Sequence, residues 1–219
     1  MIKIENIDVM GWEHAIRGMR NPMNSWEKSD SKMMWTEDPS YADIGRPDLA
    51  MNMVLGDNDL GLMQKLYKGG TEHRKFMRMI VVYMDITAPL YWWKEFDTYK
   101  VGTVANSCST MHKVHSKEFI IDNFSTEHLS GTSLDMLRML IEWLNDCRKS
   151  FVEQKHKEDW WQLIQLLPSS YNQKRTVMMN YEVASTIIRQ RTGHKLDEWN
   201  ILVKELHDLP YLDEIMGEC

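Results

Sequence analysis

The sequence has little cysteine and no long apolar run, and each absence argues against a class of protein. Its cysteines, Cys108, Cys147 and Cys219, are odd in number and widely spaced, so they form neither a disulfide framework nor a zinc-binding pattern. No apolar run approaches the roughly 18 residues that a membrane-spanning helix needs. The cysteine usage, together with a start that is unlike a secretion signal, predicts a reducing, cytoplasmic compartment.

Concentrated positive charge and common nucleotide motifs are also absent. The net charge is −6, and no block of Lys and Arg is typical of a phosphate-backbone surface, which argues against extended nucleic-acid binding. A small patch that holds one nucleotide is compatible with this charge. The chain has no G-x-G-x-x-G, Walker or G-x-S-x-G sequence, so no short motif identifies its chemistry.

The composition is otherwise that of an ordinary globular protein. The 219 residues, 43% hydrophobic and 26% charged, predict a single domain over residues 1–219. The 18 methionines and nine tryptophans are many for this length. Since Met fills irregular gaps and Trp buries a large surface, they predict an adaptable core and buried interfaces.

Strand patterns come mainly in the first half. Residues 2–9 alternate and predict a strand, and residues 76–88 predict the clearest one. Residues 21–61 are rich in Asn, Asp, Ser, Gly and Pro, which predicts a long loop or a series of turns, with a short helix among them as a further alternative. A short helix follows over residues 60–68 and stops at two glycines, and Pro89 suits the first position of another helix over residues 89–97.

Helical spacing dominates the second half. Four helices are predicted, over residues 134–144, 158–167, 176–191 and 199–206. Ser133 is the predicted N-cap of the first, the second ends near Pro168, and Gly193 is the predicted C-cap of the third. Strands in the first half and helices in the second favour an α+β fold with a mixed or antiparallel sheet.

Two polar residues share one face of the helix predicted over residues 176–191. Asn180 and Arg191 are eleven residues apart, or about 16 Å along a helix axis. An arginine in such a place suits a planar acceptor such as a carboxylate, a phosphate or a base carbonyl. The alternative, which the residues alone favour, is that Arg191 caps its helix or pairs with Glu and that Asn180 bonds the backbone.

The segment from residue 95 to residue 113, EFDTYKVGTVANSCSTMHK, is polar and lacks periodicity. Its hydroxyls, amides and two lysines could hold a phosphate or a polar ring. Its alternative is a solvated loop with self-capping Ser, Thr and Asn turns. His112 and His115 lack a third ligand for a metal site, and Cys108 has no visible base to activate it.

Taken in order, these pieces resemble the flavin-dependent thymidylate synthases. That family has a Gly-His-Glu-Thr-Pro-like turn, a strand ending in Ala-Pro, a short helix and the signature R-H-R-x-x-S-x-N-E-x-S-x-R-Y. Leu-Pro comes later, and twelve residues on an Asn opens a helix that ends in Arg. Here ITAP ends at Pro89, LLP ends at Pro168, Asn180 follows twelve residues on, and Arg191 matches the arginine. The resemblance extends from about residue 60 to residue 205.

The polar segment takes the place of the signature. Residues 98–100, TYK, stand for R-H-R, and Thr103 stands for the first Ser. Asn106 and Ser109 keep the N-x-x-S spacing after a one-residue insertion, and His73 falls on the histidine of the earlier turn. The resemblance therefore implies that this segment lines a pocket for flavin and nucleotide.

Members of the family are homotetramers, bacterial or phage proteins among them, that bind FAD between subunits. They convert dUMP to dTMP with methylenetetrahydrofolate as carbon source and NADPH as hydride source, and they need no protein nucleophile. The implied cofactor contacts are His73, Lys100, Asn106 and Asn180, and the implied substrate contacts are Glu95, Thr103, Ser109 and Arg191. Arg191 would bind the pyrimidine ring and Ser109 would lie near the phosphate.

The sequence departs from the family at five positions. Thr98 and Tyr99 replace Arg and His, Glu95 replaces a nucleotide-contacting Gln, and Met111 and Ile164 replace arginines. Three hypotheses follow: an active enzyme of this type, a member that binds or modifies another pyrimidine nucleotide, and a structural protein that uses its Trp and Met surfaces for assembly.

Overall fold

The computed structural model describes residues 2–37 and 49–217. Six strands and eight α-helices occur in these residues, joined by turns and short 3-10 segments. The strands are β1 (Lys3–Met10), β2 (Lys32–Glu37), β3 (Leu49–Val54), β4 (Val81–Pro89), β5 (Thr103–Ser107) and β6 (Asn172–Asn180). The helices are α1 (Trp12–Arg20), α2 (Asp57–Lys68), α3 (Leu90–Phe96), α4 (Gly131–Gln154), α5 (Lys157–Leu166), α6 (Tyr181–Arg191), α7 (Asp197–His207) and α8 (Leu212–Met216).

The strands form two sheets. One has four strands in the order β1-β4-β6-β5. The other is the antiparallel pair β2 and β3, in which Lys32 lies opposite Val54 and Glu37 opposite Leu49. Helices and sheets together confirm the predicted α+β fold.

Several elements predicted from periodicity are confirmed. Strand β1 matches the first alternating stretch, and β4 buries Val82, Met84, Ile86 and Ala88 at every second position. Helices α2, α5 and α7 match three of the predicted helices. Strands β2 and β3 were missed, since residues 21–61 were predicted to be a loop; the part of that loop over residues 38–48 lies outside the described residues.

The prediction of one helix over residues 176–191 is wrong. Strand β6 continues to Asn180, and α6 begins only at Tyr181. Asn180 is the N-cap of α6, and its Oδ1 accepts a hydrogen bond from the Val183 backbone N–H at 3.0 Å. Asn180 and Arg191 therefore do not share a helix face. At the other end, Thr192 is the C-cap and Gly193 follows it with a φ of 71°.

Three smaller predictions also need correction. Pro89 ends β4 and is the N-cap of α3, so it is not the first helical residue. The N-cap of α4 is Ser130, whose Oγ accepts from the Ser133 N–H at 3.3 Å. The polar segment 95–113 contains strand β5, so it is not wholly a loop.

Contacts divide the chain into two compact units, which are described separately. The first unit comprises the described residues of Met1–Asp8, Tyr83–Met178 and Gly193–Leu202. Its aromatic cluster, Trp92, Trp93, Phe96 and Trp199, is almost fully buried. A second apolar cluster in this unit joins α4 and α5 to the segment before them through Val114, Phe119, Phe124, Leu137, Ile141, Leu144, Cys147 and Leu163.

The second unit comprises the described residues of Val9–Val82, Met179–Thr192 and Val203–Cys219. Helix α1 buries Trp12, Ala15, Ile16, Met19 and Arg20, a helical spacing that places an arginine on the apolar face. The Arg20 side chain is 4% exposed, and its Nε donates to Oδ1 of the fully buried Asp59 at 2.6 Å. Because an isolated buried charge is very costly, this unit needs both partners.

Asp59 organises the loop that faces it. Its Oδ2 accepts hydrogen bonds from the Ser29 hydroxyl and from the backbone N–H groups of Asp30 and Ser31. Burial acts to raise the pKa of Asp59, but hydrogen bonds from Ser31, Ser29 and Arg20 outweigh it and hold that pKa below 3.8. The carboxylate is therefore charged at neutral pH.

Among the described residues, no helix has both the length and the apolar character that crossing a bilayer requires.

Gly11 is expected to tolerate no side chain. Its φ is 99°, and a Cβ placed on it would lie 2.1 Å from the Met79 carbonyl oxygen. We expect Gly11→Ala to lower the free energy of unfolding by about 2 kcal/mol or more, through backbone strain and the clash. Gly61→Ala is the control, because Gly61 lies inside α2 with open space around its Cβ position. It should stabilise by about 0.5–1 kcal/mol, as measured by urea unfolding. Equal effects of the two changes would contradict this account.

Asp59→Asn should lower the free energy of unfolding by about 3 kcal/mol at pH 7, because Arg20 loses its buried counter-charge. The folded-state pKa of Asp59 is depressed, so its contribution is complete above pH 3.8 and is lost as the pH falls through the folded-state value. The difference between wild type and variant should therefore stay constant from about pH 5 to 7 and shrink below about pH 3.8. Urea unfolding at several pH values measures it, with the exposed Asp57→Asn as control. A difference that grows in acid would refute this assignment.

Candidate functional site

The first unit contains a polar cavity of about 310 Å³ beside strand β5. A volume of this size suits a small ligand. Two predicted site residues, Lys100 and Thr103, line it. The full lining is Phe96, Asp97, Tyr99, Lys100, Thr103, Ala105 and Arg175. Much of the polar segment that raised the functional hypothesis thus forms one wall.

Arg175 provides a strongly positioned cation in this cavity. Its Nη1 lies 2.7 Å from Oδ1 of Asp97, and its Nε donates to Oε1 of Gln173 at 2.9 Å. The guanidinium carbon also lies 4.1 Å from the centroid of the Trp93 ring. Packing against an aromatic face and pairing with one carboxylate hold the guanidinium in a single orientation.

Strand β6 places Arg175 and connects it to the polar segment. Side chains alternate along a strand, so Gln173, Arg175 and Val177 lie on the same face. Gln173 Nε2 donates to the Cys108 carbonyl at 2.7 Å, and the Cys108 N–H donates to the Lys174 carbonyl at 2.9 Å. These bonds hold β6 to the chain that follows β5.

Thr103 has an unsatisfied hydroxyl. Its Oγ1 is buried and has no hydrogen-bond partner among the residues that the structure describes. A buried polar group without a partner destabilises a protein, so such groups call for an explanation. A ligand oxygen in the adjoining cavity would supply the partner.

Glu95 sits next to the aromatic cluster of the first unit. Its Oε2 accepts a hydrogen bond from Trp199 Nε1 at 3.0 Å and lies 3.7 Å from His194 Nε2. On α7, the buried Glu198 accepts from the Tyr91 hydroxyl, and burial with this carboxylate raises the pKa of Tyr91. The carboxylates of Glu95 and Glu198 are therefore held by hydrogen bonds from Trp199 and Tyr91 in the first unit.

Asn106 and Ser109 do not line the cavity. Asn106 is exposed on β5. Ser109 Oγ accepts hydrogen bonds from the backbone N–H groups of Met111 at 3.2 Å and His112 at 2.8 Å. This is the self-capping turn that was the alternative explanation for the segment.

The remaining predicted contacts belong to the second unit. His73 precedes a 3-10 segment with its side chain 54% exposed, and its Nε2 lies 3.7 Å from Oε1 of Glu72. Asn180 is buried and uses Oδ1 to cap α6, and its predicted contact with a cofactor stays a prediction. Arg191 is the last residue of α6 and is partly exposed.

His115 of the histidine pair has an aromatic neighbour. His115 packs edge-on against Phe151 with ring centroids 4.8 Å apart. Burial, with further contributions from nearby cations, lowers the pKa of His115. Within the described residues, no three His, Cys, Asp or Glu side chains are arranged to hold a metal ion.

The cavity can bind an anionic group. Lys100 and Arg175 supply two positive charges against the single negative charge of Asp97. Thr103 adds a hydroxyl, and Phe96 and Tyr99 add aromatic surface. Guanidinium and ammonium groups bind phosphate oxygens through charged hydrogen bonds. Arg175 was missed in the sequence because β6 was not recognised and its second half was assigned to a helix. Residues 173–179, QKRTVMM, show no alternation of polar and apolar residues that would have revealed the strand.

Comparisons with known proteins support the fold. No family model matches the chain, and no curated protein matches it. Solved structures do match it over its length. Thymidylate synthase X (ThyX) from Helicobacter pylori, solved with FAD and dUMP, superposes with a TM-score of 0.65 at 17% identity, over 100% of this chain and 98% of that one.

A second structure of the flavin-dependent thymidylate synthase ThyX from Helicobacter pylori, also complexed with FAD and dUMP, gives a TM-score of 0.63 at 16% identity. It covers 98% of each chain. At these identities the likeness establishes architecture alone. The chain therefore has the fold of the ThyX thymidylate synthases.

Proposed function

We propose that the protein is a flavin-dependent enzyme of the thymidylate synthase type, which converts dUMP to dTMP with methylenetetrahydrofolate and NADPH. One observation carries the proposal. On a fold whose solved examples hold FAD and dUMP, the polar segment of this chain lines a cavity that contains Lys100, Thr103 and Arg175.

The cavity fits the phosphate end of a nucleotide. Arg175 is oriented by Asp97 and Trp93, so its remaining donors are held in place before a ligand arrives. Lys100 is exposed at the cavity and adds a mobile cation. Together with the Thr103 hydroxyl, these groups offset the cost of removing a phosphate from water.

We assign residues by the same proposal. His73, Asn106 and Asn180 would contact FAD and Lys100 would serve flavin or nucleotide, while Glu95, Thr103, Ser109 and Arg191 would contact the substrate. Bound FAD would supply the hydride chemistry. The chain's own residues would bind and orient the two ligands, and no protein nucleophile is required. We further propose a homotetramer built from single-domain chains, in the cytoplasm of a bacterium or of a phage-infected cell.

A second function is favoured by one set of contacts. Tyr99, which stands for the signature His, packs on Phe96 and Trp199 in the aromatic cluster, and Ser109 is engaged by its own turn. Fewer signature positions are then available for ligands. The alternative is a protein on the same fold that binds or modifies another pyrimidine nucleotide.

Lys100→Ala should weaken dUMP binding about tenfold, since one charged hydrogen bond is worth about 1.5 kcal/mol. Calorimetric titration of the FAD-supplemented protein measures this affinity. Lys94→Ala is the matched control, because Lys94 is exposed on α3 and does not line the cavity. Flavin absorbance bands in the purified protein and dTMP formation from dUMP complete the test.

The outcomes separate the hypotheses. Flavin binding with dTMP formation supports the enzyme, whereas nucleotide binding without turnover supports the alternative. A colourless protein whose melting temperature responds to neither FAD nor pyrimidine nucleotides would overturn both and leave a structural role. If Lys94→Ala weakened dUMP binding as much as Lys100→Ala, the cavity would not be the dUMP site.

Thr103→Val should affect the stability of the ligand-free protein and its affinity for dUMP in different ways. Valine keeps the β-branched shape that suits strand β5 but removes the buried hydroxyl, so the ligand-free protein should be unchanged or stabilised by up to about 1 kcal/mol. Affinity for dUMP should nevertheless fall by about fivefold, because the ligand loses a hydrogen bond. Thermal unfolding and calorimetric titration measure the two effects. A loss of stability without a loss of affinity would mean that the hydroxyl serves the fold.

A further inference from the structure

The second unit has a cavity of its own, of about 320 Å³, between α1 and the β2–β3 pair. None of the residues assigned to flavin or nucleotide lines it. Its charged lining residues are Glu13, Arg17, Arg20 and Lys32, and Trp26, Ile16, Met33 and Met53 provide most of its apolar surface.

The buried Arg20 has unused hydrogen-bonding capacity at this cavity. Nε donates to Asp59 Oδ1, and Nη1 donates to the Ser25 carbonyl at 3.2 Å. Nη2 is buried and has no acceptor among the described residues. The Asp59 Oδ2 oxygen already accepts three bonds from residues 29–31. The Arg20 side chain is 4% exposed and pairs with Asp59 through Nε. Its unsatisfied Nη2 indicates that a ligand oxygen could accept a further hydrogen bond there.

The charge of the lining indicates the charge of the ligand. Asp59 balances Arg20, so the remaining groups are the exposed Arg17 and Lys32 against the exposed Glu13. The balance is one positive charge. It matches a monoanion better than a dianion, and a carboxylate offers two coplanar oxygens to a guanidinium.

The remaining lining residues describe the rest of the ligand. Ile16 and Met53 are buried, while the Trp26 ring is 50% exposed and is held by a hydrogen bond from its Nε1 to Asn21 Oδ1 at 2.8 Å. Aromatic and thioether side chains suit an apolar body of adaptable shape. Because Nη2 has almost no accessible surface, a side chain at the rim must shift before an oxygen reaches it.

We propose that this cavity is a second binding site, for a small monocarboxylate with an apolar body. Arg20 and the rim cations Arg17 and Lys32 bind the carboxylate, and Trp26, Met33 and Met53 contact the body. The site is independent of the flavin and nucleotide contacts, and it does not rest on the proposed enzymatic function.

The test uses benzoate and hexanoate as probes of the full-length protein, with benzyl alcohol and hexanol as neutral counterparts. The Trp26 indole N–H resonance, assigned through Trp26→Phe, reports binding at this cavity. Both carboxylates should shift it in a saturable manner, and the alcohols should bind at least tenfold more weakly.

Arg17→Ala combined with Lys32→Ala should reduce carboxylate affinity by about tenfold or more without unfolding the protein, since both side chains are exposed. Lys28→Ala is the control, because Lys28 is exposed beside Trp26 and does not line the cavity. FAD and dUMP binding should be the same in all variants. Failure of both carboxylates to bind, equal affinity for the alcohols, or no effect of the double change would overturn the proposal. A site that takes inorganic phosphate but neither carboxylate would do the same.

Discussion

The extended conformation of β6 is the constraint on which the candidate site depends. In a strand, residues two apart lie on one face, so Gln173 can accept from Arg175 while its amide bonds the Cys108 carbonyl. In a helix the same two residues would point about 200° apart around the axis. The strand then has to stop before α6, and Asn180 does this by capping the helix while the Tyr181 N–H donates to the Ile80 carbonyl at 3.0 Å. A single change of backbone conformation thus separates the residues that build the cavity from those that form the next helix.

Arg175 and Arg20 each line a cavity of the described structure, and they differ in how deeply they are buried. Arg175 is 15% exposed and is oriented by Asp97, Gln173 and Trp93, so it is a preformed donor at an accessible cavity. Arg20 is more deeply buried, and Asp59 is its sole ion-pair partner among the described residues. The cost of desolvation makes the second pair chiefly structural. Its unsatisfied nitrogen, however, leaves the same kind of donor that the proposed nucleotide would use at the cavity beside β5.

Sequence periodicity predicted the helices and strands that have one apolar and one polar face. It missed the strands that carry apolar residues on both faces. Strand β4 was found because its buried positions alternate, and α2, α5 and α7 because their apolar stripes repeat with helical spacing. Strands β2 and β3 carry methionine and tryptophan on exposed positions too, among them Met34, Trp35 and Met51, so no period of two is visible. In β6, the run Val177–Met179 is apolar on both faces and matches the helical spacing of α6 by coincidence.

The candidate site was predictable in part for the same reason. Lys100 and Thr103 were predicted because the order of motifs, rather than periodicity, pointed to their segment. Both line one cavity, and their roles in binding stay predictions. Arg175 was hidden because its strand was not recognised. The family signature carries its cations on the loop, where this chain has Thr98, Tyr99 and Lys100. The guanidinium that lines the cavity of this chain, Arg175, lies on strand β6.

The position of Arg175 on a strand has a physical consequence for the proposed recognition of a nucleotide. A loop arginine can adapt to ligands of different shape, whereas Arg175 is held by a strand, a carboxylate and an indole ring. A preorganised donor loses little conformational entropy when a ligand binds, but it accepts oxygens in a narrow range of directions. Lys100 supplies the complementary property, since its ammonium is a flexible point charge. The cavity therefore combines one fixed and one adaptable cation. Under the proposed function, this arrangement would select the direction of a bound phosphate more strictly than the shape of the molecule that carries it.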